Sequence, residues 1–69
     1  FKMKIRYDKD ADAMYIKFQD KEYDMSKEVD DGIILDFDED RKLIAIEILD
    51  VSDKMSDKIF KDITFGVSQ

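Results

Sequence analysis

Two runs of alternating aspartates, Asp8-x-Asp10-x-Asp12 and Asp36-x-Asp38-x-Asp40, are the most chemically suggestive feature of this 69-residue sequence. Oxygen ligands at that spacing begin a calcium-binding loop. The second run even places Glu47 at the twelfth position, where such a loop wants a bidentate carboxylate. Against a specific site, position six is Arg41 where the sharp turn needs glycine, and the flanks alternate like strands rather than repeating like helices. The first run ends on Gln19, which is no carboxylate. A chain with fourteen Asp also produces such spacings by chance. No metal site is therefore expected, and weak divalent-cation binding by Asp36, Asp38, Asp40 and Glu47 stands as the alternative.

Other chemistries fare worse. A glycosidase-like carboxylate pair needs a cleft that pushes two pKa values apart, and a chain this short has little room for one. The absence of His and Cys removes the usual zinc, haem and iron–sulfur ligands, thiol nucleophiles, disulfides and Ser-His-Asp relays. Catalysis is not expected, nor is any cofactor. Lys2, Lys4 and Arg6 form a basic stripe near Tyr7 and Tyr15 that could touch phosphates. In an acidic chain such a stripe is better read as making cross-strand ion pairs with Glu47 or Asp36, so no nucleic-acid partner is expected. The two glycines, Gly32 and Gly66, build no phosphate loop.

The net charge is −6, and it is unevenly spread. Between Glu28 and Asp40 lie seven acids (Glu28, Asp30, Asp31, Asp36, Asp38, Glu39, Asp40) and no base, so the remaining chain is nearly neutral. A segment of this kind steers basic partners at long range, as an antitoxin masks a cationic nuclease. These seven residues are the candidate partner-binding site. The opposing interpretation is a solvated acidic hairpin that keeps edge strands from aggregating.

The elements that must position these groups follow from periodicity. Lys2 to Tyr7 alternates strictly, with Met3, Ile5 and Tyr7 on one side. Asp8 to Asp12 reads as a turn, because Asp side chains bond nearby backbone amides. Ala13 to Phe18 alternates again, and Gln19 to Met25 is a loop. Ser26 to Asp30 reads as a short edge strand, followed by an Asp30-Asp31-Gly32 turn. Ile33, Leu35 and Phe37 form one face of a fourth strand. After a turn over 38–42, Ile44, Ile46 and Ile48 form one face of a fifth, running from Lys42 to Leu49. The tail changes period: Ser52 is a plausible N-cap, Met55, Ile59 and Ile63 recur at helical spacing, and a helix of about ten residues would end before Gly66. Fourteen Asp against four Glu also argues against a helical bundle, since Asp favours turns and caps. The expected architecture is α+β, one domain over 1–69: an antiparallel meander of four or five strands with a C-terminal helix on one face.

Strands four and five carry apolar residues on both sides, because Ile34 and Leu43 oppose the core sets. One side packs under the helix, leaving Ile34, Leu43, Ala45 and Tyr15 as an association patch. A two-fold homodimer is expected, which would also supplement a small core. No membrane span or signal peptide is expected: apolar runs stay short, and Phe1-Lys2-Met3-Lys4 leads into alternating charge. Phe1 is no natural initiator, so the sequence is expected to begin just inside the native chain or to carry a tag remnant. Without disulfides, the cytoplasm is the expected compartment.

The stretch Tyr7-Asp8-Lys9-Asp10-Ala11-Asp12-Ala13-Met14-Tyr15-Ile16, followed in order by 28–40 and Leu43-Ile44-Ala45-Ile46-Glu47-Ile48-Leu49, resembles a family of small bacterial and archaeal proteins classed as a domain of unknown function. That family is marked by a Y-D-x-x-A-D-A-x-Y-I opening and a closing hairpin with the pattern G-x-x-x-D-x-D-x-x-G-x-[LIV]-x-G-I-E-[IV]-L. The resemblance covers about Met3 to Ser52 and implies a compact β-rich domain, with no catalytic residue or cofactor to carry over. It also implies an expectation of small toxin-like partners. The chain departs where the family has glycines: Arg41 or Lys42 stands in the second turn, which bears on its tight geometry, and Ala45 stands after it, a small residue suited to a close neighbour.

Overall fold

The computed structural model describes residues 3–66. It contains strands β1 (Lys4–Asp8), β2 (Ala13–Lys17), β3 (Met25–Asp30), β4 (Ile33–Phe37) and β5 (Leu43–Leu49), then helices α1 (Val51–Lys54) and α2 (Asp57–Gly66). The expected α+β class and antiparallel sheet hold, with all five strands in one sheet. Lys2, assigned to the first strand by its alternation, and the Ile63 side chain lie outside the described residues.

Strand order is β1-β2-β5-β4-β3, so sequence neighbours pair in a β1–β2 hairpin and a β3–β4–β5 run, and the two units join by pairing β2 with β5. This departs from a simple meander. Burial supplies the reason: β5 is almost wholly apolar and occupies the centre, whereas β3 is exposed along its whole length and takes an edge. Register brings Ile5, Ile16, Ile46 and Leu35 into one row across four strands, and Tyr7, Met14, Ile48 and Ile33 into the next. These rows form the apolar face, on which Met14 and Ile44 are essentially inaccessible. Helix α2 packs there through an edge-to-face contact between Phe60 and Tyr7, with ring centroids 5.2 Å apart.

The helical tail is broken rather than continuous. Asp50 adopts left-handed backbone (φ 52°) at the start of α1, and Met55 is extended, ending it after one turn. Ser52, expected as the N-cap, lies inside α1, and Ser56 instead receives the N–H of Ile59 at the start of α2. The sequence repeats Ser-Asp-Lys at 52–54 and 56–58, so both serines carry the same local signal. Tertiary contacts choose between them. Ser52 is taken by Asp12: its Oγ donates to Asp12 Oδ2 at 2.6 Å, and the Val51 N–H donates to the Asp12 carbonyl at 3.0 Å. Tyr7 donates to the same carboxylate at 3.0 Å. Asp12, itself left-handed at φ 50°, thus ties the β1–β2 turn to the start of α1.

Candidate functional site

The acidic segment is folded so that its charges part company. Asp30 ends β3 and Asp31 begins the β3–β4 turn, while Asp38, Glu39 and Asp40 sit in the β4–β5 turn at the other end of β4. Five residues of strand, roughly 17 Å, separate the two groups. In the first turn, the Asp30 carboxylate accepts the Asp31 N–H and Glu28 Oε2 accepts the Gly32 N–H at 3.1 Å. Gly32 is left-handed (φ +73°), and a Cβ there would lie 3.3 Å from the Leu49 carbonyl, so the glycine is required twice over.

Two carboxylates of the segment, Asp36 and Asp38, turn inward. Asp38 is 3% exposed and organises the second turn: Oδ1 accepts the N–H groups of Asp40 and Lys42 at 2.8 and 3.0 Å, and Oδ2 accepts Lys21 Nζ at 2.9 Å. The Lys21 ammonium first, and the backbone donors after it, hold Asp38 below the ordinary carboxylate range and raise Lys21 in return. Arg41 closes the turn with its N–H on the Asp38 carbonyl and adopts φ 64°, the left-handed conformation a glycine would take at no steric cost. The tight hairpin is therefore kept in spite of the arginine. Asp36 is also buried, accepting Ser26 Oγ at 2.5 Å and the Tyr15 hydroxyl at 3.4 Å. Of the seven candidate partner-binding residues, Glu28, Asp30, Asp31, Glu39 and Asp40 face solvent, and Asp36 and Asp38 do not.

The same geometry bears on the cation alternative. Asp36 and Asp38 spend their oxygens on protein donors, and no group of three or more carboxylates among the described residues could hold a metal ion. Glu47 stands opposite Ile34 on the sheet face, away from the turn that holds Asp38 and Asp40.

The association patch is dispersed too. Tyr15 reaches from β2 to Asp36 on β4, so its ring crosses β5, where Ala45 lies opposite Asp36 and has no exposed surface. Ala45 fits beneath a close neighbour, as its size suggested, and supplies no contact area. A register shift between Asp36 and Phe37 sets Leu43 opposite Phe37, out of line with Ala45 and Glu47. Ile34 is half-buried. Of the exposed large apolar residues, Leu43 belongs to the expected patch, and a group of three, Tyr23, Met25 and Val29, lies on or just before β3.

The polar face holds one arrangement that periodicity alone does not reveal. Register aligns Arg6, Tyr15 and Glu47 across β1, β2 and β5. Tyr15 stands between the two charges, and Arg6, one member of the basic stripe expected to pair with Glu47 or Asp36, makes no ion pair with either. The ion pairs Lys17–Asp20 and Lys21–Asp38 lie outside that stripe. Burial first, then Asp36, raises the Tyr15 phenol above its ordinary value, with Glu47 adding to the effect and Arg6 opposing it. Beside this row a concavity of about 460 Å3 opens over Ala13. Alternation places each of these residues on its strand's polar side, but their adjacency depends on β2 meeting β5.

Comparison with known proteins fits this β-rich core. The model of the family described as "Protein of unknown function (DUF2283)" matches residues 4–52, most of the chain and all five strands. The chain belongs to this family. In DUF2283 terms, the Tyr and the second Asp of the Y-D-x-x-A-D-A opening are here Tyr7 and Asp12, which bond each other and anchor α1. A protein of Methanosarcina mazei named "Putative hypoxanthine phosphoribosyltransferase" is 42% identical over 53 residues, which is 77% of this chain. The chain spans 42% of that relative's length. No solved structure matches the chain significantly. No helix among the described residues is long and apolar enough to cross a membrane.

Proposed function

We propose that this domain is a non-enzymatic, self-associating protein-interaction module whose acidic hairpin captures a basic partner in the cytoplasm, as an antitoxin does. The observation that carries this reading is the surface of the β3–β4 hairpin. Its edge strand is exposed throughout, with Met25, Val29 and nearby Tyr23 offering apolar area beside Glu28, Asp30 and Asp31. Glu39 and Asp40 extend the negative field to the far turn. An open edge strand invites a second chain to pair with it, and the carboxylates favour a cationic one. Self-association draws on Ile34 and Leu43, the members of the expected patch that keep half-buried and exposed apolar surface.

The name of the Methanosarcina mazei relative supplies no separate reading, because it belongs to a whole protein of which this chain spans 42%. The test is to recover bound proteins with the tagged domain from its own cells and follow the association rate against salt. A steep fall from low to high salt, and a further loss in the Glu39→Lys/Asp40→Lys double variant, is the expected result. A salt-independent rate refutes electrostatic capture, and a clean 8.2 kDa monomer in sedimentation at micromolar concentration refutes self-association.

A further inference from the structure

The concavity on the polar face is lined by two carboxylates and one base. Its floor is small and apolar, with Ala13 flanked by Leu49, and its rim carries Tyr15, Glu47, Asp8 and Arg6. Glu47 is half-buried on the central strand and makes no ion pair among the described residues. Its oxygens reach solvent, so the carboxylate is open to a donor that arrives from outside. Next to it, the Tyr15 ring is tethered through its hydroxyl to Asp36, so the ring is held in place beside Glu47. Asp8 supplies a second negative charge from β1, although one of its oxygens already accepts the N–H groups of Asp10 and Ala11. Arg6 is the base among the lining residues. It lies on the opposite side of Tyr15 from Glu47, about 10 Å away across two strand spacings, and is exposed.

We propose that this concavity seats an arginine side chain presented by a partner protein, its guanidinium stacked on Tyr15 and paired with Glu47. Guanidinium suits the site better than ammonium because it is planar, weakly hydrated, and able to stack on an aromatic face while donating two parallel hydrogen bonds to one carboxylate. The methylene stem of the arginine lies over Ala13 and Leu49. The inference deepens the basic-partner reading and rests on it for the source of the arginine. It places the specific contact on the β1–β2–β5 face, and leaves long-range steering to the turns of β4.

The test is a two-dimensional NMR titration of the whole domain with Nα-acetyl-arginine amide at constant ionic strength, with Nα-acetyl-glutamine amide as the uncharged control. The expected result is a saturable shift centred on Ala13, Tyr15, Glu47 and Leu49, absent with the glutamine compound. Glu47→Gln, which keeps size and folding, weakens binding by roughly tenfold. Arg6→Ala removes a like charge and tightens it by about two- to fivefold. Three outcomes overturn the proposal: no saturable shift, unchanged binding in Glu47→Gln, or weaker binding in Arg6→Ala, which would mean that Arg6 supports the contact instead of opposing the incoming charge. Shifts centred on Glu39 and Asp40 instead also overturn it while leaving the basic-partner reading intact. Saturable binding in the concavity with no partner captured from cells would support the arginine site and count against the basic-partner reading.

Discussion

Replacing Arg41 by alanine and, separately, by glycine isolates the cost of a side chain held in left-handed backbone. Arg41 has φ 64°, and its N–H closes the turn on the Asp38 carbonyl. A Cβ in that conformation costs roughly 1–2 kcal/mol, while glycine gives up roughly 0.5–1 kcal/mol more chain entropy than alanine on folding. Glycine should therefore beat alanine at 41 by about 0–1.5 kcal/mol. Lys42, the next residue, is not left-handed, and there the order should reverse by about 0.5–1 kcal/mol. Loss of the arginine's charge beside Asp40 is common to both variants at 41 and cancels in the comparison. For a domain of this size, a difference of about 1 kcal/mol moves the melting temperature by about 4–8 °C, well within reach of thermal and urea unfolding followed by circular dichroism. Alanine better than glycine at 41, or glycine preferred equally at 42, would refute the assignment of strain to this turn.

Other positions give equally direct expectations. Met14→Ala, at a fully enclosed position, should cost about 2–5 kcal/mol in urea unfolding, whereas Met3→Ala, 56% exposed, should stay within about 0.5 kcal/mol; similar losses would mean that Met14 is not the centre of the core. Gly32→Ala should destabilise by at least about 1 kcal/mol, since it combines left-handed backbone with a Cβ crowded against Leu49. Lys21 and the turn amides hold Asp38 below its ordinary value of 3.8, so the stability it contributes is complete above that value and is lost as pH falls through the lower folded value. Asp38→Asn keeps a turn acceptor but cannot ionise, and should flatten the acid limb of melting temperature against pH; an unchanged limb would remove Asp38 as its source. The Tyr15 phenol should titrate above 10.0 by NMR and move part of the way back in Asp36→Asn, because burial, the larger cause, remains.

Much of the sheet was legible because strand periodicity is local. The alternation of Met14, Ile16 and Phe18, or of Ile44, Ile46 and Ile48, assigns an inward face without knowledge of any neighbour. The turns were legible for a similar reason: Asp8, Asp30 and Asp38 each bond amides within a few residues of themselves. The candidate site was less accessible. Asp36 and Asp38 look like surface charges in an acidic run, and their inward orientation depends on Ser26 and Tyr15 for one and Lys21 for the other. Ser26 and Lys21 come from a segment with little pattern of its own, and Tyr15 comes from another hairpin.

By itself, then, the sequence determined that this is a small acidic α+β domain with its negative charge gathered in one segment, and that His- and Cys-based chemistry has no place in it. Those are properties of composition and short-range spacing. Tertiary structure decided which strands touch, and with that everything about the surface. Joining β2 to β5 placed Tyr15 between Arg6 and Glu47, covered Ala45, and left β3 as an open edge. It also divided the acidic segment between opposite ends of β4 and broke the tail into two helices by committing Ser52 to Asp12. The physical reason is that pairing between hairpins depends on the total area each arrangement buries, a sum over residues far apart in the chain.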